Sequence, residues 1–406
     1  MRLQVLKGEN FSCHSCTTCC RDWHVELSAD EVERIKSLNW PGDDSPRNIT
    51  PFLRHGGKTF IAHQPDGACI FLNSTNGRCR IHEQFGASAK PLGCRLFPFH
   101  VSPTFNGEVS ILGRCDCPSI RRNQGEPVAN QIATIRQLVN EMDLPDEPDE
   151  AIRCYLDREQ IEAVTEFIGT MLNGFGGDRE RALFIFFLCE WLATVGADEL
   201  DREVLAGSFA QVRQRVMQAV LSKQKKPGLF GRLAFRMLLG TYLRRDEDVL
   251  NGRAGRLGRM LSLMAIVMGF GSFRGLGLSH PRGKLKRAGL FKSGVGNSEP
   301  STFSVFWRVI RNRLDTFQFM GNANSGRNFI EGLRSLALLY PLVLATAKYG
   351  AANRGSAQIG AEDVDYAIGA IDHSFGRLAV LNQPQSRSLE KLLLSPDQFV
   401  RLVATL

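Results

Sequence analysis

Cysteine is the residue type whose spacing points to chemistry in this chain. Nine of the eleven cysteines lie within the first 117 residues, at Cys13, Cys16, Cys19, Cys20, Cys69, Cys79, Cys94, Cys115 and Cys117. Only Cys154 and Cys189 follow, and both read as small hydrophobes, the second inside the apolar run FIFFLCEWL. A disulfide framework needs an oxidising compartment, and the opening MRLQVLKGENFSCHSC has no apolar run of export-signal length. Independent structural thiols have no reason to cluster as C-x2-C-x2-C-C. Metal or iron–sulfur ligation accounts for the pattern. A C-x2-C turn lets two thiolates converge on one metal while backbone N–H groups of the turn face the sulfurs.

The spacing also bears on which metal. Zinc knuckles usually present two separated C-x2-C pairs. Here Cys13, Cys16 and Cys19 run at two-residue intervals, and Cys117–Pro118 lies far downstream, an arrangement that iron–sulfur clusters use. An iron–sulfur cluster is therefore the first expectation and zinc the alternative. The spacing is not the C-x3-C-x2-C of radical S-adenosylmethionine enzymes. Adjacent Cys19 and Cys20 seldom share one tetrahedral ion without strain, so one of them serves a second site or stays unligated. His14, His24, His63, His82 and His100 could add nitrogen ligands, and His82, three residues after Cys79, has the best spacing. Arg95, beside Cys94, is either a salt-bridge partner or a donor to a sulfur or an anion.

Two segments resemble a known family. FSCHSCTTCCRDWHVELSADEVERI resembles the opening of the cysteine-cluster family of zinc- or iron-chelating domains (the YkgJ family), and GACIFLNSTNGRCRIHEQFGASAKPLGCRLFPF resembles its second half, C-x-F-L, C-x-I, then P-x-x-C-R-x-F-P-F. The resemblance covers residues 11–120 and implies Cys13, Cys16, Cys19, Cys20, Cys69, Cys79, Cys94 and Cys117 as ligands. RIHEQFG and the chain length are similar to the flagellin lysine N-methylase family, which shares this cysteine module. That likeness implies protein-lysine N-methyltransferase activity, S-adenosylmethionine as donor and flagellin as substrate. No βαβ unit with a glycine turn is visible for the donor, and no serine–histidine–aspartate or paired-carboxylate constellation stands out, so catalytic and donor-binding residues stay unassigned.

The elements that must position these cysteines are legible in outline. Trp23–Leu27 alternates as a short strand, and Ser28 with Glu31 forms a capping box ahead of Val32 and Ile35. Cys69 and Cys79 bracket a turn at Asn73–Gly77, so IFL and RIH are expected to pair as a hairpin. The acidic LPDEPDE run closes a linker at 126–150 after a helical stretch. The remainder reads as helix: Arg181–Val195, Ser208–Leu221 with Phe209, Val212, Val216 and Val220 on one face, Phe303–Phe319, Arg327–Tyr349 with a kink at Pro341, Ala361–Phe375 and Ser388–Leu406. The expected fold is mainly α with a small cysteine-rich α+β metal-binding module at 1–125 and a helical body at 151–406.

Composition sets the outer bounds. A chain of 406 residues with 43% apolar and 23% charged residues can bury a core, which excludes disordered, collagen-like and coiled-coil classes. No run of 18 uncharged apolar residues occurs, so no transmembrane segment is expected and the reading is a cytoplasmic protein. The net charge of +8 is unevenly spread: residues 202–292 hold nineteen Lys and Arg against four Asp and Glu, +15, leaving −7 elsewhere. Within that segment a basic, glycine-rich loop is expected at about 251–298. Nucleic acid, an anionic membrane surface and an acidic protein are the partners such a charge could meet, and a plain solvated face is the alternative. Gly269–Gly271 and Gly275–Gly277 follow no convincing strand and open no clear helix, so as a nucleotide fingerprint they are weak.

Overall fold

The N-terminal strands are too short for one broad sheet, and in the computed structural model they form several small ones. Residues 2–40, 51–222, 225–243 and 301–406 are described, with scattered positions between 257 and 299. Arg2–Val5 runs parallel to Glu108–Gly113, which pairs antiparallel with Phe99–Pro103 in the register Phe99–Gly113 to Pro103–Val109. Every residue of Glu108–Gly113 is buried, which explains why SILG reads as a continuous run rather than an alternation. A second antiparallel sheet has the order Glu26–Leu27, Lys58–Ile61, Phe52–His55, and Asn10–Phe11 pairs with Glu126–Pro127.

Two hydrophobic cores result. The smaller gathers Val25, Leu27, Ile35, Trp40, Ile61, Ile70, Phe71 and Ile81, with Trp23, Cys69, Cys79 and Cys94 packed against it. We call residues Cys13 to Cys94, whose part from Trp23 onward packs on this core, the cysteine-rich lobe. The larger core holds the helical body and also takes in Leu3, Leu96, Phe99, Val101, Ile111, Cys115, Cys117 and Ile120. After Ile132–Asn140 the acidic linker is strapped down, because the Glu147 carboxylate accepts the backbone N–H groups of Asn106 and Gly107 at 3.1 and 2.6 Å.

The body is built on the helix Phe329–Arg354, started by an Asn328/Glu331 capping box and ended by Gly355 in the left-handed conformation. It is apolar on all sides because Asp178–Leu192 and Ala361–Ser374 pack along it. It is longer than its sequence pattern indicated, and by length and composition it could cross a membrane. Yet 83% of its apolar window is buried inside the protein. Pro341 lies within this helix, giving up one backbone bond in the middle of the core.

Two local expectations are corrected. RIH is not a hairpin arm: Arg80–Phe85 is a short helix that begins directly after Cys79, and the pairing ends at the Cys79–Leu72 bridge, closed by the Arg80 N–H donating to the Phe71 carbonyl at 2.8 Å. Ser388–Leu406 is not one helix but two, Pro384–Leu393 and Pro396–Thr405, since a proline fits the first turn of a helix and not its interior. Most of the basic loop placed at 251–298 lies outside the described residues.

Candidate metal centre

The first cysteine block is a loop wound by two left-handed residues. Ser15 (φ 52°) and Thr17 (φ 62°) alternate with Cys13, Cys16 and Cys19, reversing the chain between successive thiols before Cys19–Asp22 closes a helical turn. The loop is held to the second block: the Cys69 N–H donates to the Cys20 carbonyl at 2.6 Å. The second block is itself a tight turn. Asn73 Oδ1 accepts the Thr75 N–H, Asn76 Oδ1 accepts the Arg78 N–H, and the Gly77 N–H donates to the Asn73 carbonyl. Gly77 has φ +70° and faces the first block closely enough that a Cβ would lie 3.3 Å from the Ser15 carbonyl oxygen and from Thr17 Cγ2.

The third block is fixed by the capping box. Glu31 not only closes the box with Ser28; its Oε1 also accepts the N–H of Leu92 at 2.6 Å, setting the short helix Leu92–Leu96 that carries Cys94. Gly93 rests against Trp23 and Val25, where a larger residue would be crowded. Three blocks distant in sequence are thereby brought to one edge of the smaller core.

The thiols feel one another electrostatically. Burial pushes Cys69 far up, and Cys94, Cys79 and Cys19 add to the rise. Burial likewise holds Cys94 up at about 12, with Cys79 and Cys19 contributing against the lowering effect of Lys90. For Cys19 the largest cause is the contact with Cys20, whose sulfur is 3.9 Å away, followed by burial and by the charges of Cys20 and Cys16. Burial raises Cys117 to about 11, opposed by the N–H groups of Ile120 and Ser119 and reinforced by Cys16 and Cys19. The couplings thus link Cys19, Cys69, Cys79 and Cys94 at the lobe, and Cys16, Cys19 and Cys117 across to the larger core. Cys13 is exposed.

Among the described residues no three His, Cys, Asp or Glu side chains already converge at metal-holding distance. The donor set nonetheless fits a metal. Several thiolates sharing one desolvated volume repel, which is why these thiols hold their protons, and a bound cation would remove that repulsion. The histidines sit differently from the thiols. His24 and His63 stack on each other at 3.8 Å, His14 Nδ1 meets Ser119 Oγ at 2.9 Å, His82 is exposed, and His100 bonds Gln318 at 2.7 Å. Arg95 makes the salt bridge to Glu141 rather than facing a sulfur.

A buried ionic network behind Cys117 has no counterpart in the sequence reading. The Cys115 N–H donates to Asp372 Oδ2 at 2.8 Å, and Arg313 and Arg377 pair with the same carboxylate. Asp116 takes both nitrogens of the Arg114 fork, with His373 Nδ1 at 3.4 Å. Burial would raise both carboxyls, but Arg114, His373 and Arg377 hold Asp116 well below the usual range, and Arg313 and Arg377 lower Asp372. The turn Cys115–Asp116–Cys117 is therefore gripped by residues about 200 and more positions away. Between it and the first block lies a cavity of about 60 Å³ whose walls include Thr18, Cys19, Asp116, Arg121, Tyr366 and His373. Asp116, flanked by two cysteines, is the only one of the network residues that the motif itself marks.

A thiol-rich lobe seated on a helical body is the class of protein defined here. Residues 12–118 match the family model CxxCxxCC, described as "Putative zinc- or iron-chelating domain". Over 142 residues the chain is 26% identical to the uncharacterized protein MJ0939 of Methanocaldococcus jannaschii, covering 34% of this chain and 48% of that protein. The chain therefore spans about half the length of this curated relative. No solved structure matches. The comparisons do not extend to the flagellin lysine N-methylase family.

Proposed function

We propose that this protein binds a metal centre through the thiolates of its cysteine-rich lobe, and that the centre is an iron–sulfur cluster, with zinc as the alternative. The observation that carries the reading is that three sequence blocks are held together: Cys69, Cys79 and Cys94 pack on one small core, and the Cys69 N–H donates to the Cys20 carbonyl at 2.6 Å, which brings in the first block with Cys19. Cys117, whose thiol Cys16 and Cys19 help to raise, extends the donor set toward the body, and Cys13, Cys16 and Cys20 complete the set that the family resemblance implies. The choice of iron–sulfur over zinc rests on the run of three cysteines at two-residue intervals with remote partners. A bound cluster would supply one-electron or Lewis-acid chemistry; zinc would supply a cross-link between the blocks.

The test is purification without oxygen, followed by an absorption spectrum and quantification of iron, zinc and acid-labile sulfide per chain. Broad absorption near about 400 nm with stoichiometric iron and sulfide supports the cluster. A colourless protein with stoichiometric zinc supports the alternative. A protein with neither metal, whose melting is unchanged by chelators, overturns the proposal.

A further inference from the structure

The short connection between the helices Arg202–Leu221 and Leu229–Tyr242, with the helix ends that border it, forms a tip at which three large apolar side chains are exposed to water. Leu221 is 79% exposed, Leu229 68% and Phe230 78%, although the inner faces of the same helices are buried through Val212, Val216, Phe235 and Leu238. Arg213, Met217 and Leu221, at steps of four, form an exposed stripe leading to the tip. Lys225 and Lys226 are exposed in the connection between the helices. Residues 204–243 contain seven Lys and Arg and no Asp or Glu, so no carboxylate on either helix past Glu203 neutralises this end.

We propose that this tip is a docking surface for an anionic lipid bilayer. Single exposed apolar residues are ordinary; three at the two ends of one short connection, each more than two-thirds exposed and with lysines between them, are the combination that an interfacial anchor uses. The apolar side chains match the acyl boundary and the lysines match the anionic headgroups just above it. Nucleic acid satisfies only half of this chemistry. It would meet the lysines but leave Leu221 and Leu229 in water, and the tip offers a single aromatic ring, Phe230, for stacking. An acidic protein surface has the same shortcoming unless it also brings an apolar groove. The proposal does not depend on the metal centre, since the tip lies in the helical body and none of the cysteines belongs to it.

The experiment is co-sedimentation of the full-length purified protein with vesicles of phosphatidylcholine, with and without phosphatidylglycerol. The variants are Leu229→Ser/Phe230→Ser and Lys225→Glu/Lys226→Glu. All four positions are solvent-exposed, so fold and metal content should match the parent, which circular dichroism and metal analysis verify. Expected are binding to anionic vesicles that weakens with salt, a loss of about tenfold or more in the apolar variant, and loss of the preference for phosphatidylglycerol in the charge variant. Equal binding to neutral vesicles, or binding indifferent to both variants, overturns the proposal. So does a dimer in light scattering that Phe230→Ser dissolves while vesicles are ignored, which would identify a second copy as the occupant. Binding of single-stranded nucleic acid that the lysine variant abolishes, without vesicle binding, overturns it in favour of the polyanion.

Discussion

Replacing Gly77 with alanine tests whether the turn of the second cysteine block holds the first block in place. Gly77 has φ +70°, and an added Cβ would stand 3.3 Å from the Ser15 carbonyl oxygen and 3.3 Å from Thr17 Cγ2, the two left-handed residues of the loop that spaces Cys13, Cys16 and Cys19. Gly57 is a matched control in the turn between Phe52–His55 and Lys58–Ile61: it has φ +81° and nothing within 4 Å of its Cβ position. Alanine at either site must hold a left-handed conformation, at a cost of about 1–2 kcal/mol. At Gly77 alone the loop must also retreat by a few tenths of an ångström. Metal sites tolerate ligand displacements of only about 0.2 Å, so that retreat reaches the thiols as weakened coordination. Both variants should therefore unfold in urea with a similar loss of stability in the metal-free state. Only Gly77→Ala should bind metal more weakly, by about tenfold, or about 1.4 kcal/mol, in competition with a chelator. Equal metal affinity for the two variants would refute the idea that this turn positions the first block.

Further outcomes follow from the site and its surroundings. With Cys94 at about 12 and Cys117 at about 11, these thiols carry protons at neutral pH. Metal binding should release them and strengthen with rising pH, about tenfold per pH unit for each proton displaced; calorimetry in buffers of different ionisation heat checks this, and a pH-independent affinity would contradict it. Asp372→Asn leaves Arg313 buried opposite a neutral group and should cost about 3–5 kcal/mol in urea unfolding. Because the folded pKa of Asp372 is depressed, its stabilisation is fully present above the ordinary carboxylate range and is lost as pH falls through the folded value; the variant should lack that acid limb. His100 is held down to about 4 by burial, with Arg377 adding to the effect, so stability should decline as pH falls from 6.5 toward 4 with a slope of up to about 1.4 kcal/mol per pH unit. Glu9, raised by burial to about 7, works in the opposite sense and removes stability as pH rises from 4.5 to 7. Measuring unfolding of His100→Gln across this range separates the two, since that variant should lose the acid-side decline while the opposite trend from Glu9 persists.

Much of the site's local structure could be read directly from the residues. Ser28 and Glu31 form their capping box because the bonds involved span three residues, and Asn73–Gly77 turns because asparagine side chains and a glycine with positive φ suffice to reverse a chain. The clustering of cysteines needed no tertiary knowledge either, since thiolate chemistry constrains spacing directly. The helix at Arg80–Phe85 carries no such local mark. RIH alternates as a strand would, and its helical state follows from Cys79 ending the bridge to Leu72, with Ile81 buried in the small core. Pro396, by contrast, carried a helix start that the apolar periodicity around it obscured.

A mainly helical protein with a thiol-rich N-terminal region is written in the order of the residues, because helix periodicity, caps and cysteine spacing act over a few positions. Long-range packing settles which thiols face one another, and that Glu31 holds the Cys94 helix by accepting the Leu92 N–H. It alone decided that Phe99 to Ile120 would be built into the body's core, and that Asp372, Arg313 and Arg377 would anchor the turn before Cys117. The reason is that a buried charge must find its partner wherever packing places one. That partner is fixed by the mutual fit of helices far apart in the chain, and no local pattern records it.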